Sequence, residues 1–147
     1  MLEVQSARLD DLPQLCELLE ELFALEAEFK PDPEKQSRAL RHILEHPEVG
    51  HILVLREENK IVGMVSLLAT VSTACGGPAL ILEDMIVRKE QRSRGAGSLL
   101  LGNAMAYARN HGFVRITLLT DRDTSAVGFY EKHGFTLSHM VPMRLHL

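Results

Sequence analysis

One short run, Arg92-Ser93-Arg94-Gly95-Ala96-Gly97, limits what this chain can fold into more than any other. It follows a strand-like apolar stretch, residues 79–87, and leads into a helical one, residues 98–109. Glycines at a strand-to-helix junction let the backbone turn sharply and leave no Cβ in the way of a ligand. The first helical turn behind them carries unpaired N–H groups and a partial positive charge. Such a junction is a seat for phosphate, with donors available from Arg92, Ser93, Arg94, Gly95, Ala96, Gly97 and Ser98. Arg92 and Arg94 add full charges. A glycine motif this short also occurs as a tight loop with no ligand, so the surrounding pattern has to decide.

That pattern alternates between two periods. Residues 2–8 read as a strand. Asp10 or Asp11 then caps a helix whose apolar residues, from Leu12 to Leu25, recur at helical spacing. Pro31 and Pro33 break it, and Asp32 with Pro33 is a cap and first-turn pair for a second helix over 34–45. Residues 51–56 and 61–71 are strands joined by a hairpin turn at 57–60. A polar loop at 72–78 precedes a fourth strand at 80–87. After the glycine loop a third helix spans about 97–111, with Gly112 as its C-cap. A fifth strand follows at 114–120, then a short helix at 125–132 ended by Gly134. Residues 135–147 are extended, with Pro142 marking a bend, an edge or a break between two short strands. The order β-α-α-β-β-β-α-β-α-β predicts an α/β fold with a mixed sheet and helices on both faces.

A chain of 147 residues is one domain by length, here taken as residues 1–147. At that size it buries roughly 70% of its unfolded surface. A net charge of -4 argues against nonspecific nucleic-acid binding, which needs a basic face. There is no apolar run long enough for a membrane span, and the strand-like start does not read as a signal peptide. Cys16 lies on an apolar helix face and Cys75 in a Gly/Pro loop. Their spacing suits no zinc site, and a reduced, cytoplasmic protein is the simplest reading. His42 and His46 share a helix face without a third ligand, so no metal is expected.

About thirty residues beyond the glycine loop stands a second motif, Phe129-Tyr130-Glu131-Lys132-His133-Gly134-Phe135. Taken with Arg92-x-x-Gly95-x-Gly97, in this order and at this separation, the chain resembles the GNAT superfamily of acetyl-CoA-dependent N-acetyltransferases. The resemblance is strongest from about 80 to 135. It implies a mostly antiparallel sheet whose fourth and fifth strands splay apart at one end, with acetyl-CoA inserted in the gap. One departure is Ser93, where the family often has glycine. Another is Asp123, where many members carry asparagine; aspartate keeps a cap but loses the amide donors.

The resemblance assigns roles residue by residue. Main-chain groups of Met85, Ile86 and Val87 would polarise the acyl carbonyl, as an aimed N–H stabilises a developing oxyanion; their side chains can fill the core at the same time. Tyr130 occupies the general-acid position, able to hydrogen-bond the leaving sulfur. Read without the motif, it is a half-buried tyrosine packing beside Phe129. The acceptor amine must lose a proton, which for a lysine-like amine costs about 4.6 kcal/mol at pH 7. Glu83 and Asp84 are two acids inside an otherwise apolar strand. Neighbours on a strand face opposite sides unless a bulge intervenes, so one of them should reach the site. The family position favours Glu83; a solvated or salt-bridged pair at a strand end is the plain alternative.

The acceptor side is least determined. Glu17, Glu20, Glu21, Glu26 and Glu28 cluster along the first helix and its end; they form either an acidic mouth for a cationic amine or a solvated helix face. No cysteine lies by the cofactor loop, so direct transfer to a primary amine, small-molecule or protein-borne, is expected. The alternative from another class is a non-catalytic acyl-CoA-binding regulatory module. The apolar positions of 135–147 and their edge character suggest a homodimer.

Overall fold

The apolar residues of the chain divide between the two faces of one five-stranded sheet. The computed structural model describes residues 1–26, 29–122 and 125–147. Its strands are β1 (Leu2–Ser6), β2 (Gly50–Glu57), β3 (Lys60–Ser72), β4 (Gly77–Val87) and β5 (Ile116–Leu118), side by side in that order. The first four pair antiparallel, and β4 pairs parallel with β5. The helices are α1 (Leu12–Leu25), α2 (Pro33–Glu45), α3 (Ala96–Asn110) and α4 (Ala126–Lys132). No helix among the described residues is long and apolar enough to cross a membrane.

Strand alternation builds the two cores. Leu53, Leu55, Val65, Leu67, Leu80 and Leu82 face α3, meeting its buried Leu100, Leu101 and Ala104. Ile52, Val54, Met64 and Ile86 face the other way, against Leu15, Leu18 and Leu19 of α1 and Leu40 of α2. Each leucine fully buried in this way stabilises by roughly 2 kcal/mol relative to exposure. The α2 cap forms as its sequence predicts: the Lys35 N–H donates to Asp32 Oδ1 at 3.3 Å, while the Asp32 N–H donates to Gln36 Oε1 at 2.6 Å. Asp11 occupies the N-cap position of α1, yet its carboxylate caps nothing there. It accepts from the Arg8 N–H at 2.8 Å and from Arg56 Nη2 at 3.0 and 3.1 Å, a buried ion pair tying α1 to β2.

The chain's end departs from its pattern. Residues 136–147 have no regular secondary structure, and all of them are exposed. Their apolar side chains alternate as a strand's would, but alternation forms a strand only where a partner supplies the ladder. The fifth strand is likewise shorter than the pattern suggests, three residues in place of seven. The expectation for Asp123 lies outside the described residues.

Candidate active site

The site begins where β4 loses a neighbour. β4 and β5 are in register only at Leu80–Ile116, Ile81–Thr117 and Leu82–Leu118. β4 runs on to Val87, so its last five residues, 83–87, have β3 on one side and a gap on the other. This is the splay that the family resemblance implies. Met85 packs into the α3-side core, in the same cluster as Phe129 and Tyr130 of α4. Ile86 and Val87 are buried, which leaves their main chain as what they offer a ligand. The Val87 carbonyl already accepts from Arg92 Nε at 2.8 Å.

A bulge sits at the head of the gap. Met64 pairs with Ile86 and Ser66 with Glu83, so Val65 alone stands opposite both Asp84 and Met85. Asp84 absorbs the extra residue with a left-handed φ of 53°. Non-glycine residues take that conformation rarely, aspartate more readily than most, and such outliers gather at functional sites. Simple alternation would put Glu83 and Asp84 on opposite faces. The bulge instead keeps Asp84 among Glu83, Ser66 of β3 and Glu26 at the end of α1, all on the acceptor side of the sheet.

The surroundings of the two acids differ. Glu83 is exposed, whereas Asp84 is half-buried. Burial pushes the Asp84 carboxyl up to about 6, Glu83 and Glu26 add to the rise, and the Ser66 hydroxyl opposes it. Ser66 itself is fully buried, and its Oγ has no hydrogen bond of standard geometry among the described residues. It lies beside the Asp84 carboxyl, where its hydroxyl favours the charged form.

On the opposite face, the glycine loop delivers its junction as the sequence predicts. Gly95 takes φ 80° at the N-cap of α3, and a Cβ built on it would meet nothing within 4 Å. Gly95 has no side chain to cap the helix, which leaves the first-turn N–H groups of Ala96, Gly97 and Ser98 as donors for a ligand. A pyrophosphate fits that donor set. Gly97 lies against the Phe129 ring of α4, which a Cβ there would touch at 3.4 Å, an ordinary van der Waals distance. Ser93, at the family's glycine position, adopts φ 65°, as a glycine there would.

The Arg92 guanidinium has partners within the protein. Arg92 Nη2 donates to Glu21 Oε1 at 2.9 Å while its Nε holds the Val87 carbonyl. That guanidinium braces the loop against α1 and β4, leaving its backbone for a ligand. Arg88 does the same to Glu17, at 3.1 Å. Glu17 and Glu21 are thus ion-paired rather than an open acidic mouth. Arg94 is exposed beside the α3 N-terminus.

Tyr130 is half-buried on α4, edge-on to Phe129 at 5.2 Å and to Phe135 at 5.6 Å between ring centroids. Burial pushes its phenol up to about 12, so it keeps its proton and can donate. The core-packing and donor readings hold together, since the ring packs while the hydroxyl remains to act. Two surface grooves lie elsewhere, one along α2 and one beside Phe23 and Phe29. Neither is lined by any of these residues.

The chain is similar to known proteins of one kind. The sequence profile of the Acetyltransferase (GNAT) family matches residues 12–135. An uncharacterized N-acetyltransferase of Bacillus subtilis, YhfO, is 33% identical over 85 residues, 57% of each chain. Streptothricin acetyltransferase A of the same bacterium is 36% identical over 81 residues, 54% of this chain and 44% of that one. The chain thus spans about half the length of these curated relatives. Among solved structures, an integron cassette protein from a Cole Harbour salt marsh metagenome superposes with a TM-score of 0.86 at 26% identity, covering 98% of this chain and 90% of that one. A possible acetyltransferase from Clostridium difficile 630 superposes with a TM-score of 0.89 over 100% and 98% of the two chains, and at 18% identity it speaks for the fold alone. With its strand gap, its uncapped α3 N-terminus and a family match covering most of its length, this chain belongs to the GNAT acetyltransferase family.

Proposed function

We propose that the protein transfers an acetyl group from acetyl-CoA to a primary amine by direct attack. The observation that carries this reading is the gap between β4 and β5, with phosphate donors and Tyr130 on one face and two carboxylates on the other. The α3 first turn and the loop from Arg92 to Ser98 suit the pyrophosphate of coenzyme A. Main-chain groups of Met85, Ile86 and Val87 line the edge from which a thioester carbonyl would be polarised. Tyr130 holds a hydrogen bond on the developing thiolate. A phenol near 12 is a weaker acid than an alkyl thiol near 8.5, so the tyrosine stabilises the sulfur without giving up its proton for good. Glu83 and Asp84 are the candidates to take the proton of the amine, with the family position favouring Glu83.

A cationic acceptor suits the acids on that face. Among the relatives, Glucosamine 6-phosphate N-acetyltransferase of Trypanosoma brucei brucei is by its name an N-acetyltransferase, which supports a nitrogen acceptor. Free Cys16 and Cys75 suit a reduced, cytoplasmic setting. The exposed apolar side chains of Leu137, Val141, Met143, Leu145 and Leu147 suit cover by a second copy, giving a homodimer. Light scattering that returns a monomer mass at high micromolar concentration would remove the dimer.

The deciding experiment offers acetyl-CoA with a panel of amines and measures thiol release. The panel holds polyamines, aminoglycosides, amino acids and a lysine peptide. Release with at least one amine, with an acetylated product by mass, is the expected result. Tight acetyl-CoA binding without release from any amine would favour a regulatory acyl-CoA-binding module instead.

A further inference from the structure

The geometry points to Asp84, not Glu83, as the carboxylate that takes the acceptor's proton, with Ser66 as its positioning residue and Glu83 and Glu26 as the negative field that draws a cationic amine. The inference rests on the proposed acetyl transfer and assigns the parts within it. Three observations carry it. The β4 bulge brings both acids to one face, so a choice between them has to be made on environment rather than on alternation. Asp84 is the acid set in a rarely used backbone conformation, half-buried at the head of the gap, while Glu83 beside it stands in solvent. Behind Asp84 lies Ser66, fully buried, with a hydroxyl that makes no hydrogen bond of standard geometry among the described residues. Buried polar side chains are nearly always hydrogen-bonded. An unsatisfied one against a carboxyl belongs to an arrangement completed when that carboxyl turns or a ligand arrives.

The chemistry agrees with the placement. A general base works best when its own pKa lies near the operating pH. Asp84 at about 6 is roughly a hundredfold better as a proton acceptor than an unperturbed aspartate, at two units. The groups facing it are Glu83 on its own strand, Ser66 on β3 and Glu26 from α1. In the transfer, the ammonium gives one proton to Asp84, directly or through a water, and becomes a neutral amine. Its nitrogen bonds to the thioester carbonyl carbon, the C–S bond breaks, and the electron pair leaves on sulfur. The second nitrogen proton passes by way of the Tyr130 hydroxyl to the thiolate, and Asp84 releases its proton to solvent.

The test follows kcat, KM and their pH dependence for an amine taken from the panel, in wild type and in Asp84→Asn, Glu83→Gln and Ser66→Ala. Acetyl-CoA affinity and thermal unfolding are measured on each to establish folding. Asparagine tolerates a left-handed backbone as aspartate does, so Asp84→Asn keeps the bulge. It should lower kcat by about 10²-fold or more, abolish the acid limb near pH 6, and recover partly at high pH as the amine deprotonates itself. Glu83→Gln should act chiefly through a raised KM and move the limb to lower pH, since it removes a charge that raises Asp84. Ser66→Ala should move the limb to higher pH, because the hydroxyl favours the carboxylate. A Ser66 that serves packing only would leave the limb in place. The assignment is overturned if Glu83→Gln removes the limb, if Asp84→Asn keeps kcat within a few-fold, or if the Ser66→Ala limb does not move. A wild type that acetylates no amine fails one step earlier and overturns the function itself, and the assignment with it; an active wild type with a near-normal Asp84→Asn overturns the assignment alone.

Discussion

The two sides of the β4–β5 gap are built on different terms. On the α3 side the groups proposed to meet the ligand are mostly main chain, helix N–H donors behind a left-handed Gly95, with one phenol held between two aromatic rings. On the α1 side they are titratable side chains whose behaviour depends on burial and on one another. Main-chain donors serve any ligand carrying the same phosphate, so that side can stay fixed while acceptors vary. Side-chain acids can be moved, paired or buried one substitution at a time. A family that keeps one donor and changes acceptors would be expected to divide its site in this way. Arg92 and Arg88 join the halves, since each runs from the β4 region to a glutamate of α1.

The sharpest way to break the comparison is at Gly95. If the α3 side works through its backbone, Gly95→Asp should reduce acetyl-CoA affinity at least about 100-fold, by adding a side chain at φ 80° and a negative charge beside a phosphate. Calorimetry on the folded variant checks this, and unchanged affinity would move the phosphate seat elsewhere. Next in size is Tyr130→Phe. The rings of Phe129 and Phe135 would still pack on it, so stability and cofactor affinity should change little. Turnover should fall by about 10²-fold, the lower range for a group that assists proton transfer. A rate within a few-fold would leave Tyr130 a core aromatic only.

The two sides also differ in how far the sequence exposes them. The placements of Gly95, Gly97 and Tyr130 are legible because each belongs to a local feature: a turn, a helix start, a ring in a short motif. The five strands and both helix layers follow from periodicity for the same reason. The bulge is not legible. It exists because β4 has one more residue than β3 between two paired positions, and only the partner strand reveals that count. Expecting one acid per face is correct for a flat pleat and wrong for this one. Arg92 reads as a phosphate ligand in the sequence because its partner, Glu21, lies 71 residues away. The tail at 136–147 carries a strand's alternation but none of the described residues gives it a ladder. Ser66 gives no sequence signal, being one small polar residue in a strand of apolar ones.

A smaller effect tests the acceptor side by stability rather than rate. Asp84 is raised from 3.8 to about 6, so the folded protein holds its proton more tightly than the unfolded chain does. This group therefore costs stability as pH rises from about 4 through 6, and the cost is complete above that. Asp84→Asn should raise stability at pH 7 by about 1–2 kcal/mol, with the gain fading as pH falls toward 4. Denaturant melts at the two pH values check it. A variant that is less stable at pH 7 would mean that the carboxylate is held by favourable contacts and that burial is not the dominant cause.

The smallest effect returns to the cofactor side. Ser93 holds φ 65°, where a Cβ is crowded by its own carbonyl at a cost of roughly 1–2 kcal/mol. Glycine removes that crowding but gives the unfolded chain more freedom, worth about 0.5–1 kcal/mol against folding. Ser93→Gly should therefore stabilise by about 1 kcal/mol at most. If the side relies on backbone donors, acetyl-CoA affinity should stay within a few-fold. The same melts and calorimetry serve as the check. A large loss of affinity would show that the Ser93 hydroxyl itself reaches the ligand, and the α3 side would then share the side-chain logic of the other.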